Sequence, residues 1–399
     1  MVFLFRKIQL IILSLFVYLL TASTPLYAQN AMELTVETAK QYGGKWTLPS
    51  VSAHSAVLID ADTGQVLYER DGKKQRPPAS TTKIMTAILA IELAGLDEVS
   101  TVSERAGGVG ESTIYLDKGD KIKISELLEG ALLSSGNDAC VALAEQTAGS
   151  LDEFICLMNQ KAVSIGAYQT HFENPNGLPD PEHLSTAYDL ALMARYAMNN
   201  PVFSDIVGMK YATIQFEYPP KSQQAKNTNK LLWNYVYADG VKTGTTNAAG
   251  KCLVASASRD DRRLICAVLN APDRFGDAAR LLEWGFQTTT TLVIGKKGAS
   301  AAYCELADRR IPMVFSEDVR ICLNKDQLVD LKSYAEPNQD RVLPIKAGDR
   351  LGYYIVSIGD QQLIKTPLVA AEDVNLPNGL TDRFNIIVND LLDFFAKKG

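Results

Sequence analysis

The spacing of apolar positions changes period several times along the chain, and each change marks a different kind of element. "SAVLID" and "QVLYER" flank Asp62-Thr63-Gly64 and predict a β-hairpin. After Pro77 and Pro78 comes "TTKIMTAILAIELAG", apolar almost all round, which predicts a buried helix opening near Ser80 and stopping at Gly95. "SELLEGALL" and "DACVALAEQTAG" are helical and are interrupted by "SSGN"; "LDEFICLMNQKAVSIGA" is a further helix. "STAYDLALMARYAMNN" opens with a Thr186-x-x-Asp189 capping pattern. Short β-branched runs then return: "GVKTGTT", "CLVASAS" and "RLICAVLNA" read as three successive antiparallel strands, and "RFGDAARLLEWGF" as a helix behind them. Strands, helices, strands, helix is the order of an α/β (α+β) domain. Its sheet draws on both ends of the segment, a helical insert lies between, and a cleft falls where sheet meets insert.

Beyond about residue 289 the runs are short and strand-like ("TLVIG", "YCELA", "MVFS", "VRICL", "LGYYIVSIG"), with Gly-Asp turns at 348–349 and 359–360. They predict a small all-β sandwich domain. At the end of the chain Phe384, Ile387, Val388, Leu391, Leu392 and Phe395 fall on one helical face. Such a helix packs on its own protein or lies in a membrane interface. With Asp382, Asp390 and Asp393 against Arg383, Lys397 and Lys398, its charges roughly cancel, and the pattern alone leaves both uses open. At the other end, Arg6 and Lys7 precede an apolar stretch, Ile8 to Leu20, followed by small residues up to Ala28. That is the layout of a secretory signal, too short to span a bilayer comfortably. The expected domains are a signal peptide at 1–28, a first domain at 29–289, the sandwich at 290–377 and the amphipathic helix at 378–399.

The 399 residues are 46% hydrophobic and 22% charged, which is ordinary globular composition, and the net charge of −6 argues against a nucleic-acid partner. Export would permit disulfides. Cys140, Cys156, Cys252, Cys266, Cys304 and Cys322 contain no Cys-x-x-Cys pair, and His54, His171 and His183 are scattered, so a metal site is not expected. The four cysteines of the first domain are expected as free buried thiols. Cys304 and Cys322, on candidate strands of the second domain, are left as a possible pair.

"PPASTTKIMTA" carries the first candidate chemistry. Ser80 and Lys83 stand three apart, so on a helix they share a face. A serine becomes a nucleophile when a base takes its proton, and a lysine serves as that base if burial or a nearby cation lowers its pKa. The plainer reading makes Ser80 a helix cap and Lys83 an ordinary helix residue. Ser-x-x-Lys alone recurs about once or twice by chance in such a chain. Ser135-Gly-Asn137 between two helices, and Lys242-Thr243-Gly244 on an apolar strand, are likewise unremarkable one at a time. Their order is not: Ser-x-x-Lys, Ser-x-Asn, Lys-Thr-Gly is the motif set of penicillin-binding proteins and class A β-lactamases.

With "RPPASTTKIMTA", "LLSSGNDACVALAE", "HFENPNGLPDPEHLSTAYDLALMARYAM", "DGVKTGTTNAAGKCLVASA" and "RFGDAARLLEWGF", the chain resembles the low-molecular-mass penicillin-binding proteins of peptidase family S11, the D-alanyl-D-alanine carboxypeptidases. The resemblance implies a transpeptidase-like first domain, a β-sandwich and, as in many members, a C-terminal amphipathic anchor making peripheral membrane contact. It implies that Ser80 attacks the carbonyl between the two terminal D-alanines of a peptidoglycan stem peptide, with Lys83 as base and Ser135 relaying the proton. Asn137 would bind the substrate amide, Lys242 and Thr243 the terminal carboxylate, beside Gly244. The backbone N–H groups of Ser80 and Thr245 would form an oxyanion hole. β-Lactams would stall as esters, and no metal or cofactor is implied. Some members have a histidine where this chain has Thr245, and His-Gly-Leu where it has Asn176-Gly177-Leu178. His171 and His183 are read as structural. The rivals are a serine β-lactamase, which needs a glutamate base such as Glu173 or Glu182, a transpeptidase or endopeptidase on the same site, and a sensor that acylates without turnover.

Overall fold

The computed structural model describes residues 48–375, apart from 307, 308, 339 and 341, together with Val388. The expected signal segment lies outside the described residues, as does the expected terminal helix apart from Val388.

Strands β1 (Ser55–Asp60) and β2 (Val66–Arg70) form the predicted hairpin, with Leu58 opposite Tyr68. Helix α1 (Lys83–Leu93) follows a 3-10 turn over Ala79–Thr82. Then come β3 (Val99–Thr101), β4 (Lys121–Lys123), α2 (Ile124–Leu132), α3 (Asn137–Ala148), α4 (Leu151–Ile165), α5 (Ala187–Ala197) and α6 (Pro201–Gly208). The chain returns through β5 (Tyr211–Tyr218), β6 (Lys221–Lys226), β7 (Ala238–Thr246), β8 (Gly250–Arg259) and β9 (Arg262–Leu269) to α7 (Arg274–Thr288). Local chemistry sets several of these ends. Ser150 and Thr186 each accept the backbone N–H three residues on, Asn200 caps α6 ahead of Pro201, and Gly149 and Gly166 close α3 and α4 in left-handed conformation.

The main sheet is antiparallel, in the order β2-β1-β9-β8-β7, so the first strands and the last three close on each other as the sequence order predicts. Successive residues of β1 serve two different cores. Val57 and Ile59 pack with the helical insert, while Ala56 and Leu58 pack with Leu281 and Leu282 of α7. A sheet covered on both faces explains why "SAVLID" and "RLICAVL" are apolar throughout rather than alternating. Each fully buried Leu, Ile or Val adds roughly 1.5–3 kcal/mol relative to exposure.

Two features depart from the pattern-based expectation. A second sheet, β3-β4-β5-β6, flanks the insert; β3 and β4 have three residues each, too few for an alternation to register. Helix α1 also begins at Lys83, after the 3-10 turn, and neither Pro78 nor Thr82 caps it with a side chain. Ser80 is therefore not the cap of this helix.

Strands β10 (Thr289–Gly295), β11 (Ser300–Leu306), β12 (Arg309–Phe315), β13 (Val319–Asn324), β14 (Leu331–Pro337), β15 (Arg350–Ile358) and β16 (Gln361–Ala370) form the second unit. A β10-β13 ribbon packs through Leu292, Ile294, Ile321 and Leu323 on the Ile358 side of a β11-β12-β16-β15-β14 sheet. The ribbon meets the β1–β2 hairpin in a polar junction. Arg262 donates to Asp60 Oδ2 at 2.8 Å and to the Thr289 carbonyl at 3.0 Å, while Arg320 donates to Asp62 Oδ2 at 2.7 Å. All six cysteines are free thiols. Cys156 corrects the expectation of burial: on α4, packed through Phe154 and Met158, it faces solvent. Cys304 and Cys322 lie on different sheets and are not paired.

Candidate active site

The three motifs converge on the buried Lys83 side chain. Its Nζ donates to Ser80 Oγ at 2.9 Å, to Asn137 Oδ1 at 2.7 Å and to the Asn176 carbonyl at 2.7 Å. Every ammonium hydrogen thus has an acceptor, and one acceptor is the hydroxyl the sequence singled out. Burial pulls the Lys83 pKa down to about 8, against the nearby thiol of Cys140 and the carboxylates of Asp138 and Glu111, which raise it. An amine poised there can exchange a proton with a serine near neutral pH.

The Ser-x-Asn turn is built for close approach. Ser135 holds φ 65°, and a Cβ on Gly136 would stand 2.9 Å from Asp138 Oδ1. Asn137 is the first residue of α3 rather than a loop residue, and its Nδ2 donates to the Gly110 carbonyl at 3.0 Å. Ser135 is 7% exposed, and among the described residues its hydroxyl makes no hydrogen bond.

Strand β7 brings the third motif alongside. Lys242 is 1% exposed, and its pKa is lowered well below the ordinary lysine range by burial and then by the Lys83 charge. Its Nζ donates to the Thr243 carbonyl at 3.1 Å. Thr243 Oγ1 shares a hydrogen bond with Thr228 Oγ1 at 2.7 Å. Gly244 lies against the Ser80 backbone, so closely that a Cβ there would meet Ser80 N at 2.9 Å. Thr245 Oγ1 donates to the Gly244 carbonyl at 2.7 Å and accepts from Arg274 Nη1 at 2.8 Å.

Several participants were not picked out by motif. Asn176 acts through its backbone carbonyl, which no side-chain pattern reveals. Gly177, at φ +85°, lets that loop pass the Ala79 carbonyl, where a Cβ would sit 1.9 Å away. Asn174 Oδ1 gathers the loop by accepting from Gly177 N at 2.7 Å. Thr228 and Arg274 brace the strand, and Asp138 fixes the loop opposite. Neither candidate for the single glutamate base of a β-lactamase bonds to Lys83: Glu173 is paired with His171 Nε2 at 2.8 Å, and Glu182 is exposed. His183 is structural, with Nδ1 accepting from Glu173 N at 2.9 Å and Nε2 bonded to Thr82 Oγ1 at 2.8 Å.

A buried lysine on a serine hydroxyl, flanked by an asparagine and a lysine-bearing edge strand, defines a serine hydrolase of the acyl-transfer kind. Residues 43–273 match the family described as D-alanyl-D-alanine carboxypeptidase, peptidase S11, and residues 286–376 match the C-terminal domain of penicillin-binding protein 5. The chain belongs to the S11 D-alanyl-D-alanine carboxypeptidases. It is 34% identical over 356 residues to D-alanyl-D-alanine carboxypeptidase DacF of Bacillus subtilis, covering 86% of this chain and 91% of that one. It is 35% identical over 346 residues to DacD of Escherichia coli, covering 82% and 88%. The structure of penicillin binding protein 5 from Haemophilus influenzae aligns with a TM-score of 0.75 at 27% identity, covering 83% of this chain and 99% of that one. These likenesses favour the carboxypeptidase over the β-lactamase and sensor readings.

Proposed function

We propose that Ser80 is the nucleophile and Lys83 its base in removing the terminal D-alanine from peptidoglycan stem peptides. The observation that carries this is the 2.9 Å bond between Lys83 Nζ and Ser80 Oγ inside a fully buried lysine site. In its neutral form Lys83 accepts the Ser80 proton as Oγ attacks the carbonyl between the two D-alanines. The N–H groups of Ser80 and Thr245 receive the developing oxyanion, each donor worth about 3–4 kcal/mol in such holes. The Lys83 ammonium gives that proton to the Ser135 hydroxyl as Ser135 donates its own to the departing amine, the C–N bond breaks, and D-alanine leaves. Water then attacks the ester and regenerates Ser80. Asn137 has a second Nδ2 hydrogen for the amide carbonyl on the acyl side. Lys242 and Thr243 hold the terminal carboxylate, whose negative charge, with Lys83 neutral, favours the ammonium form of Lys242 against the burial that lowers its pKa in the free site, and Gly244 gives the strand room to approach.

The same attack opens a β-lactam ring and leaves an ester on Ser80. Intact-mass spectrometry after penicillin treatment is expected to show one adduct, mapped to the Ser80 peptide and lost in Ser80→Ala. An adduct on another residue overturns the assignment.

We further propose that the chain is exported by the signal at 1–28 and works in the cell-wall space at the outer face of the cytoplasmic membrane. The catalytic domain would span 29–289, the sandwich 290–377 and a membrane-associating helix 378–399. Sequence pattern supports this reading: a basic, apolar, small-residue start and a single apolar face from Phe384 to Phe395. Fractionation with and without residues 378–399 tests it. The full mature chain is expected with membranes and the truncated one in the soluble fraction.

A further inference from the structure

Two side chains on the loop that contacts Asn137 have no part in the proposed catalysis. Loop 110–116 is tied directly to that residue. Asn137 N–H donates to the Ser112 carbonyl at 2.7 Å, and its Nδ2 to the Gly110 carbonyl at 3.0 Å. The next residue, Asp138, is 1% exposed and receives Ile114 N at 3.0 Å and Leu116 N at 3.1 Å. This grip turns Ile114 and Leu116 inward and Tyr115 outward. Tyr115 is 74% exposed and holds φ 55°, and the exposed Glu111 holds φ 65°. Left-handed backbone is strained for both residue types, most of all for a bulky aromatic.

Among the described residues Glu111 makes no ion pair or side-chain hydrogen bond, and Tyr115 makes no hydrogen bond, ring contact or cation contact through its side chain. Lys118, two residues beyond the loop, is engaged by Glu104 at 2.8 Å. Glu111 nevertheless lies close enough for its charge to raise the Lys83 pKa. An unpaired carboxylate and an exposed aromatic side chain thus stand on the one loop that Asn137 and Asp138 hold. A carboxylate and a ring face both attract a cation.

The proposed pose puts the amide between the third and fourth stem residues on Asn137. Loop 110–116, bonded to Asn137 through the Gly110 and Ser112 carbonyls, is then the neighbour of the third residue's side chain in this pose. We infer that Glu111 and Tyr115 recognise a free side-chain ammonium on the third stem residue, so that the enzyme prefers stem peptides whose diamino acid is unacylated. This rests on the roles proposed for Ser80, Lys83 and Asn137.

The test compares Nα-acetyl-Lys-D-Ala-D-Ala with its Nε-acetylated counterpart, reading kcat/KM for D-alanine release from each. Solvent-exposed ion-pair and cation–π contacts together predict a preference of about three- to tenfold for the free amine in the wild type. In Glu111→Gln and Tyr115→Ala that ratio is expected to fall to about twofold or less. A wild-type ratio near one, or an unchanged ratio in both variants, overturns the inference while leaving the catalytic roles standing. No release from either peptide would overturn those roles as well.

Discussion

Gly244 and Ser80 lie backbone against backbone: a Cβ added to Gly244 would stand 2.9 Å from the Ser80 nitrogen and 3.0 Å from the Pro78 carbonyl. Both contacts are main-chain atoms, so no rotamer change relieves them. Gly244→Ala must push β7 away from the Ser80 turn and, on the proposed roles, spoil the alignment of the nucleophile with the strand that holds its substrate. A displacement on the order of 1 Å in a catalytic constellation lowers rate by about 10²-fold. Steady-state D-alanine release is expected to show that fall in kcat. A kcat within twofold of wild type would contradict the close approach.

Lys83 sets a pH dependence. In the proposed role it is a base only when neutral, and burial lowers its pKa to about 8. The rate kcat/KM is therefore expected to rise with pH and to level off above about 8. Lys83→Arg cannot deprotonate and is expected to lose about 10²–10⁴-fold, the range of general-base catalysis. The stability sign follows the same shift. The folded pKa lies below the ordinary 10.5, so the burial penalty is complete below pH about 8 and is relieved as pH climbs towards 10.5. A rate profile that is flat across this window would remove Lys83 from the base role.

His183 gives the fold an acid-sensitive point. Its Nδ1 accepts from Glu173 N and so must be unprotonated, leaving Nε2–H to donate to Thr82 Oγ1. Burial lowers its pKa from 6.5 to about 4. The unfolded chain therefore binds the extra proton first, and stability is lost as pH falls from about 6.5 to about 4. The most this shift supplies is on the order of 3 kcal/mol. Urea unfolding midpoints measured across that range are expected to drop for the wild type and to change less for His183→Gln.

Much of this was legible in the sequence, for identifiable reasons. Ser80, Lys83, Asn137, Lys242 and Gly244 stand out because side-chain type and spacing define them. The sheet's continuous apolar strands show because both faces are covered. What the sequence hid were contributions without a side-chain signature. The Asn176 carbonyl on Lys83 is a backbone atom, and the Asp138 grip on Ile114 and Leu116 joins residues 22–24 apart through main-chain donors. Cys156 departs from the expected burial because the helix turns Phe154 and Met158 inward and Cys156 out, a facing that a cysteine's apolar character alone does not reveal.

The most direct measurement is D-alanine release from a D-Ala-D-Ala peptide by the wild type, Ser80→Ala and Lys83→Ala, followed over many turnovers. The account predicts continuous release by the wild type and loss of release in both variants. Release that survives Ser80→Ala would contradict it, because no other residue here is offered as the nucleophile.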